Sequence, residues 1–241
     1  MPRPGTIDLL ADLSEEQWGL FTRRQAEATG IAWTTLSRLA ASGAAERVAH
    51  GVYRLRGGPP VDHLALRAAW LQLDPDTPAW ERAPDSGVVS HRSAAALYGV
   101  GHLPADVHEF TLPRRRQSRR PDVRLHRARL SEGEWISLRG LPLTLPSRIA
   151  ADLLAAPEDP EAVAQIVADS LRAVYDYPGT VAEQIAPHAA RFGLRRGDGL
   201  ALLTWLLELT GDPERDVWLD EARASLAREA RDDRDRVDGV P

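Results

Sequence analysis

The segment from Leu20 to Leu55, LFTRRQAEATGIAWTTLSRLAASGAAERVAHGVYRL, is compatible with very few local folds. Thr22 and Gln25 have the spacing of a capping box, in which the hydroxyl accepts the Gln25 N–H and the glutamine side chain returns to the Thr22 N–H. A short helix is therefore predicted from Arg23 to Ala28. It stops at Thr29-Gly30, where the turn needs a positive φ that glycine adopts without strain. A second helix is predicted from about Ala32 to Ser42, with Gly43 as its C′ residue. Alternating apolar residues in Glu46 to Val48 and Val52 to Leu55, around Ala49-His50-Gly51, then predict a β-hairpin. Two short helices at a tight turn followed by a hairpin make a winged helix-turn-helix.

Spaced at about 100° per residue, the second helix puts Ala32, Leu36, Leu39, Ala40 and Gly43 on one side and Thr34, Ser37, Arg38 and Ala41 on the other. The first set is the expected core face. The second is short, hydroxyl-rich and nearly uncharged, which suits a helix that enters a groove about 12 Å wide and offers donors to base edges. Thr34 and Thr35 lie where base contacts would be made. Trp33, on the flank, has two readings, packing against the domain or lying along a sugar-phosphate strand. Arg47, His50 and Arg54 are expected to face outward from the hairpin and touch phosphates, contacts that position a protein without reading sequence. From Leu20 to Gly58 six arginines stand against two glutamates, in a chain whose formal net charge is −5. The positive charge is thus local, as a nucleic-acid face requires. Winged units also serve as protein-interaction modules or structural caps, and shape alone does not separate these roles.

The 241 residues suffice for two ordinary domains. Cysteine is absent, which excludes disulfides, thiolate catalysis and cysteine-ligated metal centres. All 30 basic residues are arginine, so mechanisms that need a lysine, such as a P-loop or a Schiff base, are excluded as well. With no apolar leader and no long uninterrupted apolar run, the chain is expected to be cytoplasmic, with no membrane partner.

Residues 7 to 20 are expected to form a first helix that closes the core of the winged unit through Ile7, Leu10, Leu13 and Leu20. Gly57-Gly58-Pro59-Pro60 reads as a domain boundary. A helix from Val61 to Leu73, a polar loop from Asp74 to Ser86, a short strand at Val88-Val89 and a helix from His91 to Tyr98 capped by Ser90 and closed by Gly99 follow. Val107 to Leu112, Val123 to Leu130 and the hairpin Trp135 to Leu138 with Leu141 to Leu145 are expected to build a small mixed sheet. Pro146-Ser147 opens a helix to about Ala156. Beyond Pro157 the chain reads as helices over Glu161 to Tyr175, Gly179 to Phe192 and the very apolar Asp198 to Leu209, then a charge-dense tail that frays into disorder. The expected fold class is α+β, mostly helical. The expected domains are a winged helix-turn-helix over residues 1–57, an α+β domain over 61–210 and a charged helical or disordered tail over 211–241.

Between Pro113 and Leu130 eight arginines, among them Arg114, Arg115 and Arg116, are offset by Asp122 alone. As a hairpin loop and strand this island would track phosphates and steepen the salt dependence of binding by roughly 0.9 per phosphate neutralised. As a solvated loop it would pair with the acidic tail; both readings stay open. The seven histidines show no metal-ligand spacing, and no nucleophile-elbow, dinucleotide or phosphate-loop motif occurs. No catalytic residue, metal or cofactor is expected, and the chain is not expected to be an enzyme.

Three motifs in order, the winged segment, SHRSAAALYGVGHLP from Ser90 and LPLTLPSRIAADLL from Leu141, resemble the AbiEi-type antitoxins of type IV (abortive infection) toxin-antitoxin systems. Together they cover about residues 14 to 156. The resemblance implies a winged domain that binds inverted repeats at its own promoter and a C-terminal domain that opposes a nucleotidyltransferase toxin; two copies, as a homodimer on DNA, are expected to occupy the repeat. It implies Thr34, Thr35, Ser37, Arg38, Arg47, His50 and Arg54 as DNA contacts. The helical region after Pro157 carries no matching motif, and toxin-facing, dimerising and structural roles stay open for it. The alternative function is a stand-alone winged-helix regulator with a ligand- or protein-binding C-terminal domain.

Overall fold

A computed structural model describes residues 5–58 and 60–238, with side chains as far as Arg231. The fold is α+β and mostly helical. Its chain divides into two compact units, one of residues up to Val89 with Val107–Arg129 and Ser137–Pro142, the other of Ser90–Asp106, Leu130–Ile136 and the chain from Leu143. The compact units thus do not follow the chain-order domains expected at 57/61 and 210/211. Residues 61 to 89 pack with the winged segment, because their loop supplies hydrogen-bond partners that the segment's buried polar side chains need.

In the first unit, α1 (Thr6–Glu15) is followed by β1 (Leu20–Thr22), α2 (Arg23–Ala28), α3 (Trp33–Ala41), β2 (Ala45–Ala49) and β3 (Val52–Leu55). The first helix is shorter than the expected run to Leu20. Trp18 at φ +60° and Gly19 at φ +75° turn the chain, and Leu20 to Thr22 pair antiparallel with Arg54 to Val52 as a third strand. That small sheet has the order β1-β3-β2. Leu10, Phe21, Leu36 and Tyr53 form its core with Ala26 and Ile31. Ile7, expected in that core, is 51 % exposed although it shares a side of α1 with Leu10, three residues on; it stands in the helix's first turn.

The capping box at Thr22 and Gln25 forms as predicted. It belongs to a larger buried network. Gln17 and Gln25 exchange reciprocal amide bonds of 3.1 and 3.0 Å. Gln25 Oε1 also accepts the Thr22 N–H at 2.9 Å, and its Nε2 donates to the Thr77 carbonyl at 3.0 Å. Gln17 Oε1 accepts the Ala79 N–H at 2.9 Å, while its Nε2 donates to the Leu13 carbonyl at 3.1 Å. Thr22 Oγ1 donates to the Pro75 carbonyl. Two side chains that are 0 % and 2 % exposed therefore tie α1, β1 and α2 to the loop at residues 75 to 79.

That loop is held from the other end by α4 (Leu64–Leu71), which starts later than the expected Val61 because His63 sits at φ +53°. Arg82 caps its C-terminal carbonyls, donating to Trp70 and Leu71 at 2.8 Å each, and lies 4.4 Å from the Trp70 ring centroid. Burial lowers the Arg82 pKa to about 10, so it stays cationic at neutral pH. β4 (Val88–Val89) pairs antiparallel with β5 (His108–Leu112), which pairs in parallel with β6 (Val123–Arg127). Arg114 to Arg120 therefore lie in a crossover loop between parallel strands, and the island continues into β6; of the two readings left open, the hairpin loop is not formed. The full second sheet runs β6-β5-β4-β8-β7, with β7 (Trp135–Leu138) and β8 (Leu141–Thr144) joined at Arg139-Gly140 as predicted. Trp18 Nε1 and Arg67 Nη1 both donate to the Arg139 carbonyl at 3.0 Å.

The second unit opens with α5 (His91–Tyr98), ended by Gly99 at φ +73° as expected; Ser90 precedes it but makes no side-chain capping bond, its hydroxyl standing 3.0 Å from His91 Nδ1 instead. It continues with α6 (Pro146–Ala155), α7 (Pro160–Arg172), α8 (Pro178–Ile185), α9 (Gly199–Thr210) and α10 (Arg215–Asp238). The helix expected over Glu161 to Tyr175 ends at Arg172, with Val174 at φ +55°. The one expected over Gly179 to Phe192 is broken, because Pro187 has no N–H to donate and the chain continues as a 3-10 turn over Ala186–Phe192. Leu202, Leu203, Leu206 and Leu207 of α9 are fully buried. Its start approaches α8 so closely that a Cβ on Gly199 would lie 1.8 Å from the Ala182 carbonyl oxygen. The tail stays helical through Asp238; the end of the fraying expected there, residues 239–241, lies outside the described residues.

Two substitutions test this packing. Gln25→Ala takes the side-chain partner from the Thr22 N–H and removes both reciprocal amide bonds of Gln17 in a dry site, so urea unfolding should show a loss of about 2 to 4 kcal/mol. Gly199→Ala should destabilise by more than about 3 kcal/mol, read as a fall in Tm, since the obstacle is backbone rather than a side chain that can turn aside.

Candidate nucleic-acid interface

The exposed face of α3 carries Thr34, Ser37 and Arg38, while Leu36 opposite them is 1 % exposed. Leu39 and Ala40 are half-buried on the core side as expected; Ala32, assigned to that side from its spacing, is exposed because it is the N-cap rather than a helical residue. Gly30 at φ +88° makes the turn into this helix, and the Gly30 N–H bonds to the Glu27 carbonyl at 3.0 Å. Only a residue without a Cβ holds that conformation at no steric cost.

Thr35 is half-buried, and its hydroxyl accepts from Arg38 Nη2 at 3.4 Å. This contact lays the Arg38 guanidinium back along the helix toward its N-terminal turn. Trp33 is 40 % exposed. Its ring meets Tyr53 edge-on at 6.5 Å between centroids, and the Arg23 guanidinium stacks over it at 4.4 Å. Of its two readings, packing is realised in this arrangement.

The wing turn is His50-Gly51, with Ala49 paired to Val52 and an irregularity between Arg47 and Ala49. Arg47 and His50 are both exposed, and Arg47 Nη2 stands 2.9 Å from His50 Nδ1. A guanidinium only donates, so Nδ1 is the acceptor and the imidazole proton sits on Nε2. Arg54, expected to face outward with them, is half-buried and donates to the Gly58 carbonyl at 2.7 Å. It belongs to the central strand of the three and is engaged in holding the end of the wing.

In the crossover loop Arg114, Arg115 and Arg116 are exposed, and Arg116 Nη1 donates to the Leu73 carbonyl. Arg120 is bonded to both oxygens of Asp122 and to Gln72 Oε1. The Arg120 hydrogen bonds hold the Asp122 carboxyl below its ordinary pKa. Gln72 Nε2 in turn donates to the His50 carbonyl at 2.6 Å, and the Arg23 N–H bonds the Gly51 carbonyl at 2.8 Å. The wing turn is therefore fastened from both sides. Sequence reading passed over Gln72, which carries no motif; Arg24, Arg119 and Arg120 entered it only as part of a charge count, and Arg23 otherwise only as the start of a helix.

Among the described residues no group of three or more His, Cys, Asp or Glu is placed to hold a metal ion, and no helix is long and apolar enough to cross a membrane. Residues 8–56 match the model of a family described as transcriptional regulator, AbiEi antitoxin, which agrees with the resemblance carried by the winged segment. The matched residues are α1 through β3. No curated protein matches the chain.

Proposed function

We propose that this protein, whose winged segment is that of AbiEi-type antitoxin transcriptional regulators, is a DNA-binding repressor of its own promoter and the antitoxin of a type IV system opposing a nucleotidyltransferase toxin. The observation that carries this reading is the exposed face of α3. Thr34, Ser37 and Arg38 offer two hydroxyls and one guanidinium and no carboxylate, on a helix whose other side is anchored in the core. Hydroxyls bond to either partner of a base pair and arginine reads guanine with two donors, so such a face can discriminate sequences. Arg47 and His50 at the wing contribute a cation and an Nε2–H donor toward flanking phosphates. Two copies on an inverted repeat would double the contact, and the protein acts by binding, with no catalytic step and no cofactor.

Arg54 is a weaker candidate for a phosphate contact than Arg47, since binding DNA would require it to leave the Gly58 carbonyl. Trp33 and Thr35 serve best as supports for Arg23 and Arg38. Arg114 and Arg115 extend the positive surface of the same unit and would act on the salt dependence of binding more than on its specificity.

A mobility-shift titration against the chain's own upstream region and a scrambled duplex of equal length, at two salt concentrations, tests the reading. Arg38→Ala should weaken specific binding by roughly 1 to 3 kcal/mol and leave random binding almost unchanged. Arg47→Ala should weaken both alike and flatten the salt dependence by about one phosphate's worth. Equal losses for Arg38→Ala on both duplexes would remove its base-reading role. For the antitoxin half, co-expression with the neighbouring gene should restore growth that this gene alone arrests.

A further inference from the structure

A cleft of about 690 Å³ opens in the first unit between α2, the wing turn, the end of α4 and the crossover loop. Its rim carries Arg23, Arg24, Arg116, Arg119 and Arg120, with Glu27 as the single carboxylate among its lining residues. Arg23 is paired with Glu27, Arg24 with Asp76 and Arg120 with Asp122. Arg116 and Arg119 have no carboxylate partner among the described residues, and both are exposed. The floor is different in character: Val52 is buried, and Leu73, Val123 and Leu125 line the same space.

A concave, partly apolar site with convergent cations is the form that holds a small ligand. Duplex DNA presents its phosphates on a convex surface, which matches the exposed face of α3 and the wing better than a recess. We propose that this cleft binds a nucleoside polyphosphate, its phosphates held by Arg116 and Arg119 with help from Arg120, and its base and sugar lying on the aliphatic floor. Guanidinium groups suit this ligand because their paired donors match two phosphate oxygens at once.

One side chain links an arginine of the cleft to the wing turn. Gln72 accepts from Arg120 and donates to the His50 carbonyl at 2.6 Å. A phosphate that draws Arg120 away from Gln72 frees the amide to reorient, and His50 and Gly51, which themselves line the cleft, move with it. Occupancy would then alter DNA affinity. This regulatory half rests on the wing contacting DNA; the binding half does not.

Calorimetry of the full chain with ATP, GTP and inorganic triphosphate, in the absence of DNA, tests the binding half. One saturable site per chain is expected, with ATP or GTP tighter than triphosphate by about 10-fold because the floor adds apolar contact. Arg116→Ala with Arg119→Ala should weaken nucleotide binding by about 10-fold or more with only a small fall in Tm, since both side chains are exposed and the bond of Arg116 to the Leu73 carbonyl is all that the fold loses. Nucleotide binding that the double substitution leaves intact would overturn the site. So would absence of binding up to about 1 mM ligand, including the case in which the double variant instead loses duplex affinity and the arginines prove to serve DNA phosphates. For the regulatory half, added ATP should shift the mobility-shift midpoint, and Gln72→Ala should abolish that shift at ATP concentrations that calorimetry shows to saturate the variant. An unchanged midpoint in the wild type with nucleotide bound would overturn the coupling alone.

Discussion

The paired amides of Gln17 and Gln25 are the interaction on which the first unit depends. Each side chain is fully enclosed, and each carries one acceptor and two donors that water can no longer reach. The pair meets that requirement by bonding to itself and to backbone groups at Leu13, Thr22, Thr77 and Ala79. An unpaired buried amide costs about 1 to 3 kcal/mol, so the loop at 75 to 79 cannot leave without exposing that debt in full. This is why residues beyond the wing are inseparable from it. It also fixes the height of β1, whose backbone pairs with β3 and so aligns the wing relative to α2.

From that frame follows the placement of charge. The protein is acidic as a whole, yet the first unit presents arginines on α2, α3, the wing and the crossover loop. Their partners differ in kind. Arg23, Arg24 and Arg120 face carboxylates, whereas Arg54, Arg82 and Arg116 donate to backbone carbonyls. A carbonyl bond orients a guanidinium without cancelling its charge. Such a guanidinium keeps its charge but must give up its carbonyl bond to meet an anion, a cost that weighs more on half-buried Arg54 than on exposed Arg116. Arg82 is the exception, since its burial and its stack on Trp70 make it a structural cap.

The second unit uses ions differently. Arg148 sits between Glu134 at 2.6 Å and Asp152 at 2.8 Å, all three largely shielded from solvent, and Asp169 receives the Gly101 N–H at 2.9 Å. Around these pairs the aliphatic core of α7 and α9 excludes water, and the contact of Gly199 with the Ala182 carbonyl sets how near α9 comes to α8. Such a unit is built for a fixed shape. Its loop between α7 and α8 nonetheless exposes Val174 and Tyr177, at 72 % and 64 %.

Local sequence determined the helices, turns and strands wherever a residue's own chemistry sets the backbone. The capping box at Thr22 and Gln25, the glycines at 30 and 99, the proline that opens α6, and the alternating apolar residues of β2, β3 and β5 act over a few residues. Their effect can be read without knowing what lies across the core. The exposed face of α3 was legible for the same reason, since helical periodicity alone separates Leu36 from Thr34, Ser37 and Arg38. Tertiary structure decided everything that needs a distant partner. Nothing near Leu20 announces a strand, because β1 exists only by pairing with β3. Gln17 and Gln72 are ordinary polar residues until Gln25, Arg120 and the His50 carbonyl arrive beside them. The parallel pairing of β5 with β6 made a crossover of a loop whose form local sequence left open, and brought its arginines to the wing. Arg54 alternates outward in sequence but is claimed by the Gly58 carbonyl in space. A hydrogen bond between residues far apart in the chain leaves no periodicity to read, and such bonds decide which of the many arginines remain free to meet a ligand.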